Sequence, residues 1–169
     1  MALDQDLTAL EVLAIAIKSE VEAAALYERM AGQVRNTALV TKLNFLRQEE
    51  EKHRAMLEDL YTKRFPGVEL QLPRKSLVPV VEADALDQLT VPELFQLAMK
   101  AEQVSADFYS QAAEHSQDEM ARTLLRYLSN IERGHYHLLE TEYELVSRFP
   151  GYYNADEFHF GDEMVHLGP

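Results

Sequence analysis

LNFLRQEEEKHRAMLEDL at residues 43–60 and LRYLSNIERGHYHLLETE at residues 125–142 share one arrangement. In the first, Leu43, Leu46, Leu57 and Leu60 recur at helical spacing, and Glu50 and His53 interrupt that apolar seam. In the second, Leu125, Leu128 and Leu139 flank Glu132 and His135 in the same way. Positions three apart lie on one face of a helix, so each Glu-x-x-His pair points inward together. A charged residue set into a core-facing seam is costly, and two such pairs in one chain require a common explanation.

The offset between the two stretches is 82 residues, and it extends beyond them. Adding 82 to Glu20, Tyr27, Thr8 and Glu11 gives Glu102, Tyr109, Thr90 and Glu93. The seams Leu13, Ile17, Glu20, Ala24, Tyr27 and Phe95, Met99, Glu102, Ala106, Tyr109 each hold one Glu in mid-stripe. The same offset selects Glu50 from the run Glu49-Glu50-Glu51, because Glu49 maps to Ile131 and Glu51 to Arg133. Glu49 and Glu51 are then expected at the surface, solvated or paired with Arg47 or Arg54.

Local signals divide the chain into four helices. Thr8 with Glu11 and Thr90 with Glu93 read as capping boxes, and Pro92 sits in a first turn, where its missing amide proton costs nothing. On the first helix Lys18, Ser19, Glu22 and Arg29 fall on the polar side. Phe65-Pro66-Gly67 and Phe149-Pro150-Gly151 stop the second and fourth helices. Two short connections flanking one long one predict an all-α, ferritin-like four-helix bundle in which two helical hairpins pack face to face. The expected layout is a single domain over 1–169: hairpin 7–65, crossover 66–90, hairpin 91–149 and an aromatic and acidic tail 150–169. Tyr152, Tyr153, Phe158 and Phe160 in that tail predict docking on its own bundle or on a neighbouring subunit.

Bulk properties narrow the function. A chain of 169 residues removes roughly 70% of its accessible surface on folding. The formal net charge of −13 argues against nucleic acid and anionic membranes as partners. There is no cysteine, so thiol catalysis and cysteine-ligated metal centres are excluded within this chain. The apolar run Val12 to Ile17 is far too short for a bilayer, and Met1-Ala-Leu-Asp-Gln-Asp lacks the basic region of a secretory signal; a cytoplasmic location is expected.

Four ionised Glu in an apolar interior would repel one another and pay several kcal/mol each in lost solvation. Two divalent cations remove the difficulty, supplying four positive charges and leaving both histidines neutral and free to ligate. Glu20, Glu50, His53, Glu102, Glu132 and His135 are therefore the predicted metal ligands. Their oxygen-rich, two-nitrogen set suits iron or manganese, with zinc as an adventitious occupant.

Glu20 to Tyr27, Glu50-x-x-His53, Glu102 to Tyr109 and Glu132-x-x-His135 resemble the rubrerythrin branch of the ferritin-like di-iron carboxylate superfamily, across roughly residues 7–149. The resemblance implies two iron ions, with Glu50 and Glu132 bridging, Glu20 and Glu102 terminal, and His53 and His135 as nitrogen ligands. It further implies that Tyr27 and Tyr109 donate hydrogen bonds toward ligand carboxylates. Rubrerythrins proper append a rubredoxin domain; without cysteine, the expectation here is a separate electron-donor protein. They also tend to carry another Glu three residues from the third-helix ligand, where this chain has Met99 and Ser105, so the set looks closer to the plain ferroxidase centres of bacterioferritins. The implied activity is an oxidoreductase reacting Fe²⁺ with O₂ or H₂O₂, of peroxidase or ferroxidase type, working as a homodimer or higher oligomer. An iron-storage assembly and a non-enzymatic metal-binding bundle stay open as alternatives.

Overall fold

The structure is a computed structural model that describes residues 7–76, 78 and 89–150. The expectations placed on the tail beyond Pro150, and on most of the Val-rich part of the crossover, lie outside the described residues. Four helices follow one another: α1 Ala9–Gln33, α2 Thr37–Arg64, α3 Val91–His115 and α4 Glu119–Arg148. These bounds match the sequence reading to within a few residues at each end.

Each helix starts where a side chain satisfies its free amides. Glu11 accepts from the backbone N–H of Thr8 at 2.9 Å and Glu93 from that of Thr90 at 2.7 Å, the same device 82 residues apart. Asn36 caps α2 through the N–H of Leu39 at 2.9 Å. Asp118 caps α4 by accepting from Met120 and Ala121. After α2, Gly67 takes a φ of 79°, the left-handed turn that glycine reaches without strain.

Helix directions follow from three contacts. Asp118, at the start of α4, accepts from the N–H of Ala9 at 3.3 Å, and Ser116 donates to the carbonyl of Leu7 at 3.2 Å. The starts of α1 and α4 thus lie together, so these helices run in parallel while α2 and α3 run the opposite way. The α2–α3 connection must then travel the length of the bundle, as the single-crossover topology requires. α1 packs on α2, α3 on α4, and α1 on α4 joins the hairpins.

Two apolar clusters fill the ends of the bundle. One gathers Leu13, Ile17, Leu57, Tyr61, Phe108, Leu125 and Leu128; the other gathers Leu26, Met30, Leu39, Leu43, Leu46, Phe95 and Leu139. Between them Glu20, Glu50, Glu102 and Glu132 form a buried polar layer. One local expectation fails. Ser19, placed on the polar side of α1, is buried, and Val12 through Ile17 are buried without interruption. The reason is tertiary: Leu70 and Val78 of the crossover pack into the cluster built on this half of α1, so the helix has a second covered side.

The caps give a direct test. Thr8→Ala removes the reciprocal cap of α1 and is expected to cost about 1 kcal/mol. For a chain of this size that lowers the melting temperature by roughly 2–4 °C, measurable by calorimetry.

Candidate metal centre

All six sequence-predicted ligands meet in the polar layer. Each comes from mid-helix, where backbone geometry is fixed at both ends by a packed cluster. Glu50 lies at the centre: its Oε1 is 3.0 Å from Nδ1 of His135 and its Oε2 is 3.4 Å from Nδ1 of His53. His53 Nδ1 also approaches Glu20 Oε2 at 3.8 Å. His135 Nδ1 approaches Glu102 Oε2 at 3.7 Å and Glu132 Oε2 at 3.9 Å. The two imidazoles stack, with ring centroids 5.3 Å apart and planes inclined by 21°. Ligand-type atoms of Glu50, His53 and His135 lie within 4.8 Å of one another, as do those of Glu102, Glu132 and His135.

The layer's charge state follows from its surroundings. Burial pushes Glu20 up to about 8, the charge of Glu50 adding to it and His53 opposing. Burial, with Glu102 beside it, raises Glu132 well above the carboxylate range. For Glu50 burial acts upward, but the flanking His135 and His53 more than offset it and hold the group at about 2. Contact with Glu20 and Glu50 lifts His53 to about 9. Burial favours neutral His135, yet Glu102 and Glu50 override it and raise the group to about 10.

The family profile that matches this sequence is that of rubrerythrin, over residues 11–143. The chain belongs to the rubrerythrin family. A solved structure, a hypothetical protein from Pyrococcus furiosus, is similar to it with 38% identity and a TM-score of 0.66, over 85% of this chain and 92% of that one. No curated protein matches. The rubrerythrin family is one of di-iron carboxylate proteins, and this member presents carboxylate and imidazole groups of that kind.

The residues fit a metal pair on their own geometry. Both oxygens of Glu20, Oε1 of Glu50 and Nδ1 of His135 are buried and engage in no hydrogen bond. His135 Nδ1 and Glu50 Oε1 are 3.0 Å apart without being aligned as donor and acceptor. Buried polar atoms lacking partners are rare and costly; hard, oxygen-preferring cations satisfy them all at once.

The tyrosines differ from their symmetric expectation. Tyr27 donates to Glu102 Oε1 across the bundle, as the resemblance implies. Tyr109, equally buried, donates to no carboxylate; burial, with the charges of Glu20 and Glu132 near it, raises its pKa, and Ser19 lies against its hydroxyl. The outer charges of α2 also depart from expectation: Arg47 pairs with Glu51, but Glu49 pairs with Lys52, and Arg54 turns to Glu58. His137, two residues from a ligand, is exposed and pairs with Glu140.

Sequence reasoning missed a cleft between α1 and α3. Ser19, Ala23, Ala101 and Ser105 line it, a cavity of about 60 Å³ whose floor is Tyr27, Glu102 and Glu132. A signal existed: the 82-residue offset maps Ser19 onto Ala101 and Ala23 onto Ser105, all small.

These shifts give the metal-free chain a distinctive pH response. Glu20, at about 8 against roughly 4.3 when unfolded, loses its stabilising proton as pH rises through that window. His53 and His135 contribute fully below about 6.5 and lose that contribution as pH passes about 9 and about 10. Glu50, depressed to about 2, contributes above about 4.3 and loses its effect in acid. The metal-free protein should therefore melt highest near pH 5 and progressively lower toward pH 10. Adding two equivalents of Fe²⁺ or Mn²⁺ should reverse the alkaline decline, because coordination needs the deprotonated forms.

Proposed function

We propose that this protein is a non-haem di-iron oxidoreductase whose centre, held by Glu20, Glu50, His53, Glu102, Glu132 and His135, reacts with H₂O₂ or O₂. The observation that carries the reading is the set of buried, unpartnered ligand atoms around Glu50, which reaches both imidazoles. When bound, an iron pair supplies one electron from each Fe²⁺, so that with two protons the O–O bond of H₂O₂ breaks and two waters form.

The chain's own residues set the conditions for that chemistry. Glu50 reaches both His53 and His135 and would be shared between the two metal positions, as Glu132 would by the repeat, with Glu20 and Glu102 each holding one ion. The Leu-rich clusters above and below keep bulk water from the layer. Tyr27 keeps its proton, since burial and the charge of Glu102 push its hydroxyl well above the usual range, and it orients Glu102 as a fixed donor. Reduction after each turnover falls to a separate electron-donor protein, and the working form is a homodimer or larger.

An anaerobic titration with Fe²⁺ should saturate at two irons per chain, and peroxide should then oxidise them rapidly. Glu50→Ala should bind one iron or fewer and lose at least tenfold in oxidation rate. Unchanged stoichiometry and rate in that variant, or saturation of the wild type below one iron, would overturn the assignment.

A further inference from the structure

The centre has two sides, and they differ in kind. Between α2 and α4 the stacked rings of His53 and His135 turn their Nδ1 atoms inward and form the wall of the layer, with part of each ring at the surface. Between α1 and α3 there is instead a cleft that runs from the surface down to Tyr27, Glu102 and Glu132. Its walls carry the small residues Ser19, Ala23, Ala101 and Ser105 where a bundle normally interdigitates large ones.

Resting on the oxidoreductase reading, we propose that this α1–α3 cleft is the way in for a small uncharged oxidant of the hydrogen peroxide type, and that it serves the Glu102–Glu132–His135 half of the centre first. Three observations bear on the class of molecule. The volume, about 60 Å³, is that of about two waters at liquid density, which suits a ligand of a few atoms better than a hydroperoxide with a bulky organic group. At the mouth Glu22 and Arg29 offset one another, and the carboxylate of Glu102 at the floor disfavours an anion without penalising a neutral molecule. Ser105, on the cleft wall, carries a hydroxyl that can hydrogen-bond a ligand that both donates and accepts, as peroxide does.

The choice of half comes from the floor. Glu102 and Glu132 line the cleft, while Glu20 and Glu50 do not. The repeat makes the ligand set symmetric, but the opening reaches one side of it. Tyr27, bonded to Glu102, is also at this floor, whereas Tyr109 is not.

The test narrows the cleft without touching a ligand. In the iron-loaded protein, Ser105→Ala, Ser105→Val and Ser105→Leu should slow oxidation by H₂O₂ in order of side-chain volume, the last by at least tenfold. Association of nitric oxide with the ferrous protein, a neutral probe followed by its nitrosyl absorbance and EPR signal, should slow in the same order although no turnover occurs. Ala101→Leu provides a second plug should Ser105→Leu fold poorly, and Leu26→Ala, on the cleft wall, should raise the cumene hydroperoxide rate relative to that of H₂O₂. Two irons bound, with peroxide and nitric oxide rates unchanged in both Leu variants, would sink the cleft while leaving the oxidoreductase reading intact. A wild type that binds two irons and is inert to peroxide, yet shows graded nitric oxide rates, would sink the oxidoreductase reading and leave the cleft as the ligand path.

Discussion

Four carboxylates in the middle of an apolar bundle are the constraint to which the rest of the structure answers. Each ionised group there lacks most of its hydration, and the four together repel. The fold meets this with positive charge at their edge, as two imidazoles, and with protons. In the absence of metal, Glu20 and Glu132 favour the neutral form, Glu50 stays ionised, and both histidines favour the charged form. Protons and divalent cations are thus alternative ways of neutralising one layer, and binding either excludes part of the other. Metal affinity in such a layer is a competition with protons, set by burial as much as by ligand identity.

The same constraint explains the packing above and below. A polar layer stays dry when the helices cannot slide or fray beside it, which is why each ligand sits several turns from a helix end and between two clusters of buried Leu, Ile and aromatic side chains. Hydrogen bonds across the bundle fix the helices about their axes: Ser129 donates to the carbonyl of Ala106 at 2.9 Å, Gln96 to the hydroxyl of Tyr143 at 2.8 Å, and Lys42 pairs with Glu142. Rotating α2 by one residue, about 100°, would carry Glu50 out of reach of both imidazoles.

Much of this was legible in the sequence because helix period and repeat offset are both one-dimensional. Glu50, His53, Glu132 and His135 announce themselves by interrupting Leu seams, and the 82-residue shift then picks Glu20 and Glu102. What could not be read depends on elements far apart in the chain. Ser19 looks polar-facing by period alone, and only the crossover packing over α1 buries it. Glu49 pairs with Lys52 because Arg47 and Arg54 are engaged one turn along by Glu51 and Glu58, a competition between rotamers that spacing leaves open. The cleft needs Ser19 and Ser105 on opposing helices, and nothing local to either residue places them there.

A duplicated hairpin builds a symmetric ligand set, yet a reaction at such a centre needs one open side. In this chain the asymmetry comes from the parts that do not repeat. Ser76 and Val78, from the crossover, line the rim of the α1–α3 cleft; the positions that the offset assigns to them fall in the tail, outside the described residues. Glu22, Leu26 and Arg29 line the mouth, while the offset turns these positions into Val104, Phe108 and Gln111, which do not. Leu26 and Phe108 are equally buried in their apolar clusters, and of the two Leu26 also borders the cleft. Tyr27 meets Glu102 on the lining of the cleft, and Tyr109 lies near Glu20 outside that lining. The repeat therefore brings matched carboxylates and imidazoles into one layer, while residues that do not repeat, among them Ser76 and Val78 of the crossover, shape the cleft beside it.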